Sequence, residues 1–191
     1  MSFVPLSIPS PALPRRLAAC ALLPLLLAGC EDYGRVTQTG NDATYRPEEV
    51  SYAGDPNRGG LLVLVHGNPT DEPREALVEQ VYDALSRAAP ARNIALTGEQ
   101  QEGERGIYRV VFVFDPTDQV VDASLCAGRI PPSAVPGDEI RVRAAFCRGA
   151  VPVTGALGVI ERDLVDFRPE RFDLFLRDVG YTLFPNRGGD R

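Results

Sequence analysis

Along the chain, apolar and polar positions alternate in two rhythms, and the rhythm changes where the structure should change. Leu61 to Val65 is an unbroken apolar run between glycines, the pattern of a strand buried on both faces. Beyond the turn His66-Gly67-Asn68-Pro69, Leu77, Val78, Val81, Tyr82 and Leu85 recur on one helical face. Asp71, Glu72 and Pro73 stand where a helix begins, so the pattern predicts a helix over 73–88. Tyr108 to Phe114 reads as a second doubly buried strand closed by Asp115-Pro116. From Glu139 to Cys147 the residues alternate, with Ile140, Val142, Ala144 and Phe146 facing one way and Arg141 and Arg143 the other. That is a strand with one wet face. A shorter strand is expected near Val151-Pro152-Val153. Phe172, Phe175, Leu176 and Val179 follow Pro169 at helical spacing, and Gly180 stands where a cap belongs, predicting a helix over 169–179.

The elements run in the order β-α-β-β-α. They predict an α/β (α+β) fold in which helices pack on a small mixed sheet. The expected domain covers 61–185, with a tail over 186–191. Residues 31 to 60, rich in Asp, Asn, Gly, Thr and Pro, show little apolar periodicity, so 30–60 reads as a tether.

Residues 1–29 follow a third pattern. The pair Arg15-Arg16 precedes an apolar stretch from Leu17 to Leu27 and the small residues Ala28-Gly29. This is the layout of a signal peptide, and even with Ala28-Gly29 included the stretch of about 13 residues falls short of the roughly 20 that a spanning helix needs. The tetrapeptide Leu27-Ala28-Gly29-Cys30 resembles the lipobox of bacterial lipoproteins. That resemblance implies cleavage before Cys30, lipid on its thiol and fatty acyl chains of the palmitate kind that hold the protein to a membrane. It also implies the cell envelope as the address, on the periplasmic or outer side of a bacterial membrane. Leu17-Ala18-Ala19-Cys20 fits the short pattern too, but almost no apolar segment precedes it.

Charge changes the picture next. The chain holds no lysine, so its 20 basic residues are all arginine, and Schiff-base or phosphate-loop lysine chemistry is excluded. After residue 29 there are 18 arginines against 26 acids, a net charge of −8. Such a body is repelled by nucleic acid and by anionic headgroups, so the expected membrane contact is covalent. Cys126 and Cys147 form an even pair in an exported domain, which favours a disulfide. A zinc site is the alternative, though two cysteines and the single His66 make an incomplete set.

Two segments invite catalytic readings. Leu61 to Pro69, ending in His-Gly-Asn-Pro, resembles the oxyanion-hole strand of α/β-hydrolases, in a form seen in haloalkane dehalogenases. The resemblance implies a nucleophile elbow, an acid and a distant catalytic histidine. No glycine pair frames a serine or aspartate in that way, and the one histidine is His66 itself. Val113 to Asp118 resembles the first motif of haloacid-dehalogenase-type phosphatases, with the second acid one position late. A turn opened by Asp115-Pro116 accounts for the same residues. Asp115, Asp118 and Asp122 lack the glycine and closing glutamate of a calcium loop. Glu161, Asp163 and Asp166 read as a solvated surface near a helix start. The expectation is therefore a non-enzymatic binding or assembly-support domain without cofactor or metal, whose partner is an envelope protein or cell-wall component. A small envelope hydrolase is the alternative.

Overall fold

The structure, a computed structural model, describes residues 34–99, 107–117 and 119–186. Among them, six strands form one mixed sheet in the order β1-β6-β5-β4-β2-β3. The strands are β1 (Arg35–Asn41), β2 (Leu61–His66), β3 (Leu96–Thr97), β4 (Tyr108–Phe114), β5 (Glu139–Arg148) and β6 (Val151–Glu161). The helices are α1 (Pro47–Ala53), α2 (Arg74–Ala88), α3 (Asp122–Cys126), α4 (Arg162–Phe167) and α5 (Glu170–Leu183). β2 runs parallel to β3 and β4, and β4, β5, β6 and β1 are successively antiparallel. No helix among the described residues is long and apolar enough to cross a membrane.

The alternation in the strands decides what each face buries. Val63 and Val65 of β2, Phe112 and Phe114 of β4, and Val142 and Phe146 of β5 meet α2 and α5 in the main core. Val111 and Val113 of β4 point the other way and join Ala145 and Cys147 under Leu125 and Cys126 of α3. β4 is therefore apolar on both faces because both are covered, as its sequence requires. The wet face expected of β5 is covered at Ala145 and Cys147 and carries arginine only at its start.

Three expectations are corrected. Residues 35–60 are part of the fold rather than a tether. β1 pairs along β6, and Tyr45 and Val50 are fully buried in the main core. The strand expected near 151–153 runs to Glu161 and holds β1 and β5 on either side. Gly180 does not end a helix, because α5 continues to Leu183. Its missing side chain instead lets α5 close on α2, where an added Cβ would lie 2.8 Å from that of Ala88.

Space also explains Gly155 in β6. An added Cβ there would stand 2.1 Å from Asp122 Oδ2 and 2.6 Å from Thr39 Oγ1, so the glycine makes room for a buried carboxylate. Gly155→Ala should destabilise the protein by about 1–3 kcal/mol, the usual cost of overpacking. A urea-unfolding midpoint equal to that of wild type would show that the strand yields instead.

Candidate functional site

Because β2 and β4 are parallel neighbours, their carboxyl ends bring the His66 turn beside Asp115, with His66 opposite Val113 in register. In open sheets with parallel strands this end is where ligands usually bind. Among the described residues Asp115 alone, apart from glycines, has a positive φ, at 43°. Aspartate tolerates this region because its short side chain bonds nearby backbone. Here the Asp115 N–H donates to the Arg141 carbonyl at 2.7 Å, and the Arg141 N–H donates back to Asp115 Oδ1 at 2.7 Å. The Asp115 carbonyl accepts from the Ala134 N–H at 2.6 Å.

The second carboxylate oxygen faces Arg162, the first residue of α4, at 3.2 Å. The same guanidinium donates through Nε to the Gly137 carbonyl at 2.6 Å and through Nη1 to the Pro69 carbonyl. One arginine thus fastens the loop after β2, the loop before β5 and the end of β4. Both oxygens of Asp115 are held by donors, which opposes its use as a nucleophile or general base.

His66 has no triad geometry. Its Nε2 is buried and makes no hydrogen bond among the described residues. Burial first, and the Arg74 guanidinium second, lower its pKa below the usual 6.5. Arg74 in turn donates to the Val65 carbonyl at 2.5 Å, which fixes the cation near the strand end. Gly67, at φ 80°, comes so close to Phe114 and Ser133 that an added Cβ would lie 2.7 Å from the Phe114 carbonyl oxygen. Asn68 closes the turn by donating from Nδ2 to the Glu72 carbonyl at 2.8 Å. The His-Gly-Asn-Pro segment is accounted for by packing and turn closure.

The lowered pKa has a thermodynamic sign. The ring is more easily protonated in the unfolded chain than in the folded one, so its contribution to stability is present above pH 6.5 and is lost as pH falls through 6.5 towards the lower folded value. The wild-type Tm should therefore fall more steeply between pH 7 and 5 than that of His66→Gln. Parallel curves would show that His66 is not the titrating group.

On the opposite face of the sheet, α3 is fastened at both ends. Asp122 pairs with Arg143 Nε at 2.7 Å and accepts from Thr39 Oγ1 at 2.9 Å. At the other end, Cys126 is disulfide-bonded to Cys147 with Cα atoms 5.5 Å apart, and the Cys126 carbonyl accepts from Arg109. Beside α3 a groove of about 680 Å³ crosses the uncovered part of the face, over Leu157 and Val159 and between Arg35, Arg141 and Val121. A smaller cleft of about 460 Å³ lies next to Asp115, with Asp138, Glu139 and Arg141 on its walls.

Arg141 and Arg143 share a face as expected and both line the groove beside α3, but each is held by a different carboxylate. Arg141 pairs with Glu139 at 3.0 Å and Arg143 with Asp122. Asp122 is thereby part of the α3 anchor, and Asp115 belongs to the other cluster. Asp118 lies outside the described residues, as does Cys30. Glu161, Asp163 and Asp166 are exposed around the start of α4. No group of three metal-ligating side chains occurs among the described residues. Sequence reasoning missed the roles of Arg162, Arg109 and Asp122, whose partners are distant in the chain and whose local context carries no motif.

No family model and no curated protein matches this chain. It is similar to a point variant of the PelC dodecamer from Paraburkholderia phytofirmans, at 14% identity and a TM-score of 0.46, over 78% of this chain and 97% of that one. It is also similar to the PelC dodecamer of the same organism in another crystal form, at 15% identity and a TM-score of 0.43, over the same shares. Likenesses this distant carry no functional argument.

Proposed function

We propose that this chain is an exported, lipid-anchored domain that binds another envelope component and performs no chemistry of its own. The observation that carries the reading is the commitment of the polar groups at the strand-end cleft. Asp115, Arg162 and Arg141 hold loops and one another, and His66 Nε2 has no hydrogen-bond partner among the described residues. The lipobox-like Leu27-Ala28-Gly29-Cys30 supports the anchor. The Cys126–Cys147 bond supports export, since such bonds persist in oxidising compartments. The binding surface is the groove over Leu157 and Val159, an apolar floor whose rim carries Arg35 and the Arg141–Glu139 pair, which suits a partly apolar protein segment with an acid to meet Arg35.

A photo-crosslinking amino acid at Leu157, tested in native membranes, is expected to give an adduct of one defined mass. The same probe at Tyr181, on α5, should give none. Equal labelling at both positions would contradict the assigned surface. Turnover of a generic ester or haloalkane by the purified protein, abolished in His66→Ala, would instead establish the hydrolase alternative.

A further inference from the structure

Strand direction gathers several features at one end of the sheet. β1 begins there with Arg35 opposite Val159, β6 ends there at Glu161, β4 ends there at Phe114 and β5 starts there at Glu139. α4 follows β6 at once. α5 then runs back along the sheet, because Phe172 near its start packs on Phe114, whereas the Leu183 carbonyl at its finish accepts from Thr154 near the beginning of β6.

Among the described residues, the two most exposed large apolar side chains both stand at this end. Val135 is 88% exposed and Phe167 is 85% exposed, while the other exposed large apolar residues range from 37% to 57%. Neither sits on a loose support. Phe167 closes α4, and Val135 lies two residues before Gly137, whose carbonyl Arg162 of α4 holds at 2.6 Å.

The same end is where the chain leaves for the anchor. Gly34 packs against Phe175 of α5 and the Val159 carbonyl. It is four residues from Cys30, so at roughly 3.5 Å per residue the two Cα atoms are no more than about 14 Å apart. β6, with 11 residues, is about 36 Å long at roughly 3.3 Å per residue. A lipid on Cys30 therefore holds this end, and not the far one, at the membrane.

We propose that this end of the domain rests on the bilayer with Phe167 and Val135 seated in its interfacial layer. The proposal depends on the lipid anchor at Cys30 proposed above. Within four residues of the two side chains stand Asp138, Glu139, Asp163 and Asp166 against Arg168 alone among exposed bases, so the contact is with neutral, zwitterionic phospholipid and is apolar in origin.

The chain contains no tryptophan, so one introduced tryptophan is a unique reporter. Full-length Phe167→Trp, Val135→Trp and Tyr181→Trp proteins, processed in a bacterial host, are reconstituted into phosphatidylcholine vesicles whose acyl chains carry bromine near the headgroup. Phe167→Trp and Val135→Trp are expected to shift to the blue and lose most of their emission. Tyr181→Trp, at the far end of α5, should keep the emission it has in unbrominated vesicles. Intact mass establishes the lipid on Cys30 in the same samples. If the lipid is present and Phe167→Trp is quenched no more than Tyr181→Trp, the membrane contact is wrong while the anchor stands. If the lipid is absent from Cys30, the anchor fails and this contact fails with it.

Discussion

Arg162→Ala should destabilise the folded protein by about 3–5 kcal/mol, the cost of removing one partner from a buried ion pair. The pair side chains are only 19% and 11% exposed, so solvent screens the interaction little. Without the guanidinium, Asp115 keeps a charge whose second oxygen has lost its donor, and the Pro69 and Gly137 carbonyls lose theirs. A domain of this kind is stable by about 5–15 kcal/mol, so the loss is a large share. Asp115→Asn should cost less, because the Arg162 guanidinium that loses its counter-ion still donates to the Gly137 and Pro69 carbonyls, and the amide oxygen can still accept from the Arg141 N–H. The double variant Arg162→Ala/Asp115→Asn should be less destabilised than the sum of the singles. Urea unfolding measures all three, and a loss under about 1 kcal/mol for Arg162→Ala would mean that the loops hold themselves.

Replacing both Cys126 and Cys147 by serine should cost about 3 kcal/mol, the chain-entropy value for a crosslink across 21 residues. The effect should be local as well as global. α3 has five residues, too few to persist without tertiary support. The disulfide fastens its last residue, while Asp122 and the Arg109 contact remain. Hydrogen exchange is expected to accelerate over 122–126 and to stay slow in α2, whose buried residues belong to the main core on the other face. Equal stability of oxidised and reduced protein would remove the disulfide from the account of what holds α3.

Elements legible in the sequence were those whose own residues carry the period of their environment. β2, α2, β4 and β5 each bury a face large enough to repeat a pattern several times. β1 could not be read because it is an edge strand whose one apolar residue, Val36, stands among Arg, Thr, Gln, Gly and Asn, paired through its backbone and mostly exposed. β6 was cut short by glycines whose value is spatial, Gly155 for Asp122 and Gly158 for Phe175. α3 is shorter than two helical turns. Gly180 looked like a cap because the cap and the close helix contact both select for a missing side chain.

The site divides in the same way. The isolation of His66 followed from the lack of a second histidine, and the cysteine pair followed from its even count. The Asp115–Arg162 pair joins residues 47 apart and the Asp122–Arg143 pair residues 21 apart, and no local pattern signals either. Because residues 35–60 belong to the fold, the anchor proposed at Cys30 is a few residues from β1 in the chain instead of a long leash away.

The central claim, a domain held to a membrane by lipid on Cys30, is tested most directly by the mass of the mature amino-terminal peptide from protein purified out of bacterial membranes. The account predicts a chain that begins at Cys30 with diacylglycerol on its sulfur, and a Cys30→Ser protein that is neither cleaved there nor lipidated. A mature chain that begins elsewhere, or a Cys30 thiol without lipid, would contradict it.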